Sequence, residues 1–287
     1  MENNLKMFAG ERLLVMTGLL GFLLAAGIAV YMAFYGSVVL PEGNIESAFS
    51  FSAAIGIFAL SIAAILPIAG LSPRKRASIR WLYIIGFLYA YGLETIQHFR
   101  GINPRFSQVG SVGDMIAGIL FGLDSLMLIV LTVLLALPFF RSRQPLERPW
   151  LVLGIRYAFV STMIAFAAGL WMTVLQGRYT GDAGNLIVLH GLGFHALQTL
   201  PVLGWLVGWA QMDTLKSRRL MHTGGIAWTA SVLLVFVQTA LGRTVFEPTA
   251  IPVLAGLLLL ISLGALALAA INALKSRASS RDLLSRV

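Results

Sequence analysis

Glu94 and His98 stand four residues apart in a long apolar run, a spacing that stacks them on one face of a helix. A carboxylate beside an imidazole can pass a proton or help hold a metal ion. Asp114, Asp124, His190 and His195 lie within or at the edge of other apolar runs. Ionisable groups are costly in hydrocarbon, so these side chains are expected to share an interior site.

The elements that must position them are membrane spans. The chain has 287 residues, of which 58% are apolar and only 11% charged, the balance of a polytopic membrane protein. Eight runs are long enough to cross a bilayer: 12–36, 50–71, 80–98, 113–139, 150–177, 186–212, 223–243 and 250–274. The expected fold is all-α, an eight-helix transmembrane bundle forming a single integral membrane domain, 1–287. The segment from Arg141 to Trp150, with Pro145 and Pro149, divides it into halves of four spans, 1–140 and 150–287. That division hints at duplication, although no residue-level repeat can be traced. Glycines and alanines such as Gly18, Gly21, Ala25, Ala165, Ala168 and Gly169 suit close helix packing.

The formal charge of +9 is distributed as a topology signal. Lys6 and Arg12, Arg74 to Arg80, Arg141 to Arg148, Lys216 to Arg219, and Lys275 to Arg286 fall on one side of an eight-span chain, and with them every lysine. Both termini are therefore expected to be cytoplasmic, in a bacterial cytoplasmic (inner) membrane, with lipids as partners. The basic loops lack aromatic interleaving and any binding fold, so no nucleic-acid partner is expected. The short acid-bearing N-terminus reads as neither signal nor transit peptide. With no cysteine, thiolate catalysis and cysteine metal ligands are excluded.

Depths along the spans order the polar groups. At about 1.5 Å per residue, His190 lies roughly 7 Å, and His195 roughly 15 Å, from the outer end of span 6 near Asn185. His98 and Asp114 match the upper of these levels; Glu94 matches the lower one, with Asp124 near or below it. His190 and His195 are about 140° apart around an ideal helix, so both cannot point straight into one site. His195 shares its face with Gln198 and Thr199. His222, in a basic turn, reads as an interfacial residue. The outer side has only four arginines, Arg100, Arg105, Arg178 and Arg243. Spans 3, 5 and 7 end alike: Gln97 with Arg100 and Gly101, Gln176 with Gly177 and Arg178, Gln238 with Gly242 and Arg243. This pattern serves as a helix stop with a dipole-matched cation, or as a basic ring over an outer pocket.

The run from Glu94 to Phe106, Glu-Thr-Ile-Gln-His-Phe-Arg-Gly-Ile-Asn-Pro-Arg-Phe, together with His195-Ala-Leu-Gln198, resembles uncharacterised bacterial multi-pass membrane proteins. The shared elements cover about a tenth of the chain and imply no activity. The eight-span outline is similar to that of heme A synthases, which carry heme-ligating histidines in two four-helix halves. This chain departs from them, since its outer histidines fall on spans 3 and 6 without a pair in each half. It departs also from zinc-dependent seven-span hydrolases of the ceramidase type, whose His-x-x-x-His pair is here His-x-x-x-x-His.

Three functions follow as alternatives. In a redox protein, His98 with His190 or His195 would ligate heme b, with Arg100, Arg105, Arg178 and Arg243 on its propionates, or His98 and His195 would hold a divalent metal. In a proton-coupled or small-molecule transporter, Glu94, Asp124 and His195 would relay protons or bind substrate. In an enzyme acting on a lipid or prenyl substrate, the arginines would bind phosphate, with His195 and Glu94 or Asp124 doing acid–base work. An assembly or scaffold role, in which the polar layer only sets helix register, completes the set.

Overall fold

Apolar runs of this length satisfy their own backbone hydrogen bonds only as helices, and eight long helices form: α1 Arg12–Tyr35, α2 Ile45–Ile65, α3 Pro73–Phe99, α4 Val112–Arg141, α5 Pro149–Leu175, α6 Leu186–Trp209, α7 Thr214–Ala240 and α8 Ala250–Leu284. The computed structural model describes residues 7–141, 148–210 and 212–284, the side chains of 278–284 excepted. Lys6, Arg143, Pro145, Arg286 and the side chain of Arg281 lie outside the described residues. Among the described residues, seven helices, α1, α2 with its 3-10 extension to Ile68, and α4 to α8, are long and apolar enough to cross a membrane. The chain is thus a multi-pass, predominantly helical membrane protein. Large apolar side chains point outward, as at Leu23, Val174 and Leu260, where lipid rather than water is their natural neighbour. Helix α3 is the exception, because it opens on Arg74, Lys75, Arg76 and Arg80 and ends on Glu94 and His98.

Two compact units divide the chain, Met1–Pro138 and Phe139–Val287. In the first, α1 and α2 meet at Gly18 and Gly56, where a Cβ on either would stand 2.9 Å from the other's carbonyl oxygen. Buried Glu11 receives Arg76 Nε at 2.6 Å and Arg80 Nε at 2.7 Å, fastening the start of α3 to the start of α1. Tyr83 and Phe87 of α3 stack on each other and meet Phe58 of α2 edge-on. The Tyr83 hydroxyl pairs with Thr132 Oγ1 of α4 at 2.8 Å. In the second unit, Ser161 of α5 donates to the Gly193 carbonyl of α6 at 3.0 Å, and Ser262 of α8 to that of Gly224 in α7 at 2.9 Å.

The two units repeat one plan. Between α1 and α2 lies a small hairpin, β1 Val38–Val39 and β2 Gly43–Asn44; between α5 and α6 lies another, β3 Tyr179–Thr180 and β4 Gly184–Asn185. The hairpins, the starts of α2 and α6, and both ends of α3 and α7 keep one offset of 141 residues (179 − 38, 186 − 45, 214 − 73). The backbone bonds correspond as well. Glu42 N–H donates to the Gly101 carbonyl and Ala183 N–H to that of Gly242, each at 2.9 Å. Asn44 caps α2 by accepting the Ser47 N–H, and Asn185 caps α6 by accepting that of Ile187. Gly101 and Gly242, at φ 76° and 72°, take the left-handed turn that ends α3 and α7.

Candidate functional site

In the first unit the hairpin sits at the end of α3, and its Asn44 N–H donates to Nδ1 of His98 at 3.1 Å. That bond turns Nε2 of the same ring toward Glu94, one turn back along α3, at 3.3 Å from Oε2. Glu94 is 0% exposed and His98 3%. The second partner of Glu94 comes from the α3–α4 loop: Arg105 forms an ion pair with Oε1. Apart from these two neighbours, no hydrogen bond reaches the Glu94 oxygens among the described residues. The Arg105 guanidinium lies beside two aromatic rings that pack on each other, 5.2 Å from the centroid of Phe51 on α2 and 5.7 Å from that of Phe121 on α4.

The loop that delivers Arg105 is held by Glu42, a residue that sequence reasoning did not single out. Its carboxylate accepts Ser107 Oγ at 2.5 Å, Gln108 N–H at 2.8 Å and Asn103 N–H at 3.3 Å. These donors, the Ser107 hydroxyl foremost, hold the Glu42 carboxyl below its ordinary range. Asn103 Oδ1 in turn accepts the Arg105 and Phe106 N–H groups, an Asx turn that aims Arg105 inward.

Beside this group, Asp114 at the start of α4 gathers Arg100 Nη1 at 2.6 Å, Gln97 Nε2 at 2.9 Å and the hydroxyl and N–H of Ser111. Arg100 therefore fastens helix ends. Asp124, also on α4, stands against Gly86 of α3, where a Cβ would lie 2.6 Å from its Oδ1. Gly86 is eight residues before Glu94, about 12 Å along the helix, so Asp124 belongs to a deeper level than the Glu94 group.

The remaining candidates lie in the second unit. His190 Nδ1 bonds the Ala165 carbonyl on α5 at 2.8 Å, and its ring meets Phe194 edge-on. His195 is on the exposed side of α6, paired with Gln198 Oε1 at 3.2 Å. The two histidines thus part to different environments, as five-residue spacing requires. Arg243 pairs with Glu247 at 2.6 Å, and Arg178 lies over the ring of Tyr179. His222 bonds the Tyr157 hydroxyl at 2.8 Å and lines a groove of about 570 Å³ between α7 and α8 with Arg218, Arg219 and Ile261.

The common endings of spans 3 and 7 acquire a structural account. Gln97 and Arg100 share Asp114; Gln238 and Arg243 share Glu247. The chemistry is not repeated. At the 141-residue offset, Glu42, Glu94 and His98 correspond to Ala183, Val235 and Thr239.

Nδ1 of His98 is taken by the Asn44 N–H, whereas Nε2 approaches Glu94 Oε2 at 3.3 Å without a hydrogen bond, so any ligation of heme iron or a metal through this ring would use Nε2. No group of three or more His, Asp or Glu side chains arranged for a metal ion occurs among the described residues. No family model, curated protein or solved structure matches the chain.

Proposed function

We propose that this protein is a proton-coupled small-molecule transporter of a bacterial cytoplasmic membrane, in which Glu94 takes and releases the proton. On this reading α3 is an eighth span, both termini are cytoplasmic and the hairpin end of the first unit faces outward. The carrying observation is the wholly buried Glu94 carboxylate, whose cationic partner arrives on an irregular loop rather than on a helix. While Arg105 is seated, Glu94 is paired with a guanidinium. When the loop withdraws, a lone carboxylate in a low-dielectric interior costs about 3–5 kcal/mol, which a proton removes. Binding and protonation at Glu94 then exclude one another, and that exclusion is the elementary requirement for coupling. Asp124, deeper on α4, is a second proton station. Heme or a divalent metal at His98 is the competing assignment, and it would use Nε2, which faces Glu94.

Proteoliposomes carrying an imposed pH gradient test the proposal. When small cations, amino acids, sugars and carboxylates are supplied one class at a time, one class should collapse the gradient, and Glu94→Gln should abolish that collapse. A protein that collapses the gradient with no class is not this transporter. A Soret band or stoichiometric metal in the purified protein assigns the site to redox chemistry instead.

A further inference from the structure

The Arg105 guanidinium is seated against groups from three helices, an open-sided box made of Glu94 with His98 from α3, the Phe51 ring from α2 and the Phe121 ring from α4. The two rings stand 5.9 Å apart between centroids, tilted by 56°. A buried carboxylate holding a cation that also lies against two aromatic rings is the chemistry that recognises an organic cation, because both the charge and the ring quadrupoles attract it. The occupant of the box is the chain's own Arg105. Its side chain remains 32% exposed although its charge is delivered to a carboxylate that is 0% exposed, so the guanidinium enters from the loop side. An ion pair serving only to neutralise Glu94 needs no aromatic walls.

We infer that the box of Glu94, His98, Phe51 and Phe121 is a binding site for a guanidinium-class organic cation, and that Arg105 is a tethered occupant which the ligand displaces. The inference rests on the transporter reading for its purpose and names the substrate class that the reading leaves open. Two features make Arg105 removable. The loop bearing it, between α3 and α4, has no regular secondary structure. Its fastening to Glu42 lies outside the helices, within reach of solvent and of protons. A tethered competitor acts at an effective concentration of about millimolar, so a free cation binds the native protein weakly until the loop lets go. The equivalent place in the second unit cannot do this, since Val235 replaces Glu94.

Calorimetric titration of the purified full-length protein with methylguanidinium tests the inference, with uncharged urea as the control of similar shape. Arg105→Ala should bind methylguanidinium at least about tenfold more tightly than the native chain, as removal of a tethered competitor requires. Urea should not bind. Adding Glu94→Gln or Phe121→Leu to Arg105→Ala should weaken binding by a further tenfold or more. A folded Arg105→Ala protein that fails to bind, or whose binding ignores Glu94→Gln, overturns the proposal. Glu42→Gln keeps Arg105 and every wall of the box while loosening the loop. It should raise methylguanidinium affinity severalfold, and unchanged affinity there overturns the proposal even if Arg105→Ala cannot be purified. The two proposals fail separately. A pH gradient collapsed only by sugars or carboxylates keeps the transporter and removes the cation site; methylguanidinium binding without any coupled flux keeps the site and removes the transporter.

Discussion

Nδ1 of His98 accepts the backbone N–H of Asn44 at 3.1 Å. An amide nitrogen can only donate, so Nδ1 carries no proton and the neutral ring keeps its hydrogen on Nε2, facing Glu94. A second proton on the ring would break the Asn44 bond. The hairpin between α1 and α2 therefore sets the tautomer of the imidazole. We expect nitrogen NMR of the labelled protein to report the Nε2–H form of His98. His98→Ala leaves the half-buried Asn44 N–H without its acceptor and should lower stability by about 1 kcal/mol, read from the denaturation midpoint. Finding the Nδ1–H form would contradict this arrangement.

Acid should open the loop through Glu42. Its carboxyl is held below the ordinary value of 4.5, first by the Ser107 hydroxyl and next by the Gln108 N–H. A depressed carboxyl stabilises the closed loop fully above the ordinary value, and that contribution is lost as pH falls through the lowered one. The Gln108 amide proton should therefore hold its hydrogen-bonded NMR position at neutral pH and move only below about 4.5. In Glu42→Gln it should sit at the released position throughout. A native amide that moves between pH 5 and 7 would place the controlling titration in a different group.

The crossing of the membrane by α3 can be measured without background, because the sequence contains no cysteine. Lys75→Cys near the start of α3 and Val109→Cys in the α3–α4 loop flank that helix, and Val109 is already exposed. An impermeant thiol reagent should label Val109→Cys in intact cells and reach Lys75→Cys only after the membrane is opened. Labelling of both from one side would leave α3 outside the set of spans.

Hydropathy located the helices and five of their starts to within one residue, but missed the other three. The starts expected at 50, 80 and 223 lie at Ile45, Pro73 and Thr214, because a helix continues into polar residues for as long as a cap holds it. Asn44 and Asp213 supply such caps through the Ser47 and Lys216 N–H groups. The pairing of Glu94 with His98 was legible, since four-residue spacing on a helix is local geometry. The seat of Arg105 was not, because the reach of an irregular loop has no periodicity to read. Glu42 escaped notice as a lone acid in a turn, although Pro41-Glu42-Gly43 beside the capping Asn44 marks a tight element. The repeat was hidden because its equivalences are mostly backbone bonds. What could have exposed it is the Gly-Asn pair of each hairpin, followed at one shared interval by Gln97 with Gly101 and by Gln238 with Gly242.

That repeat gives a matched pair of substitutions. Gly101 and Gly242 both hold a left-handed φ, and both offer a carbonyl to the hairpin of their own unit. A Cβ at Gly101 would meet the Leu40 backbone, and one at Gly242 would stand 2.8 Å from the Gly181 Cα. Alanine at either position should cost about 1–3 kcal/mol from the strained backbone, and the crowded hairpin must also shift. The consequences for the site should differ. Gly101→Ala displaces the hairpin that fixes the His98 tautomer and the Glu42 fastening, so it should release the loop and alter methylguanidinium binding. Gly242→Ala disturbs a hairpin whose unit has Val235 and Thr239 in the corresponding places, and should leave that binding within about twofold of native, the additivity expected of independent sites. Denaturation midpoints and calorimetry on the two variants separate the shared scaffold role from the site. Equal loss of binding in both would show that the chemistry depends on the second unit as much as on the first.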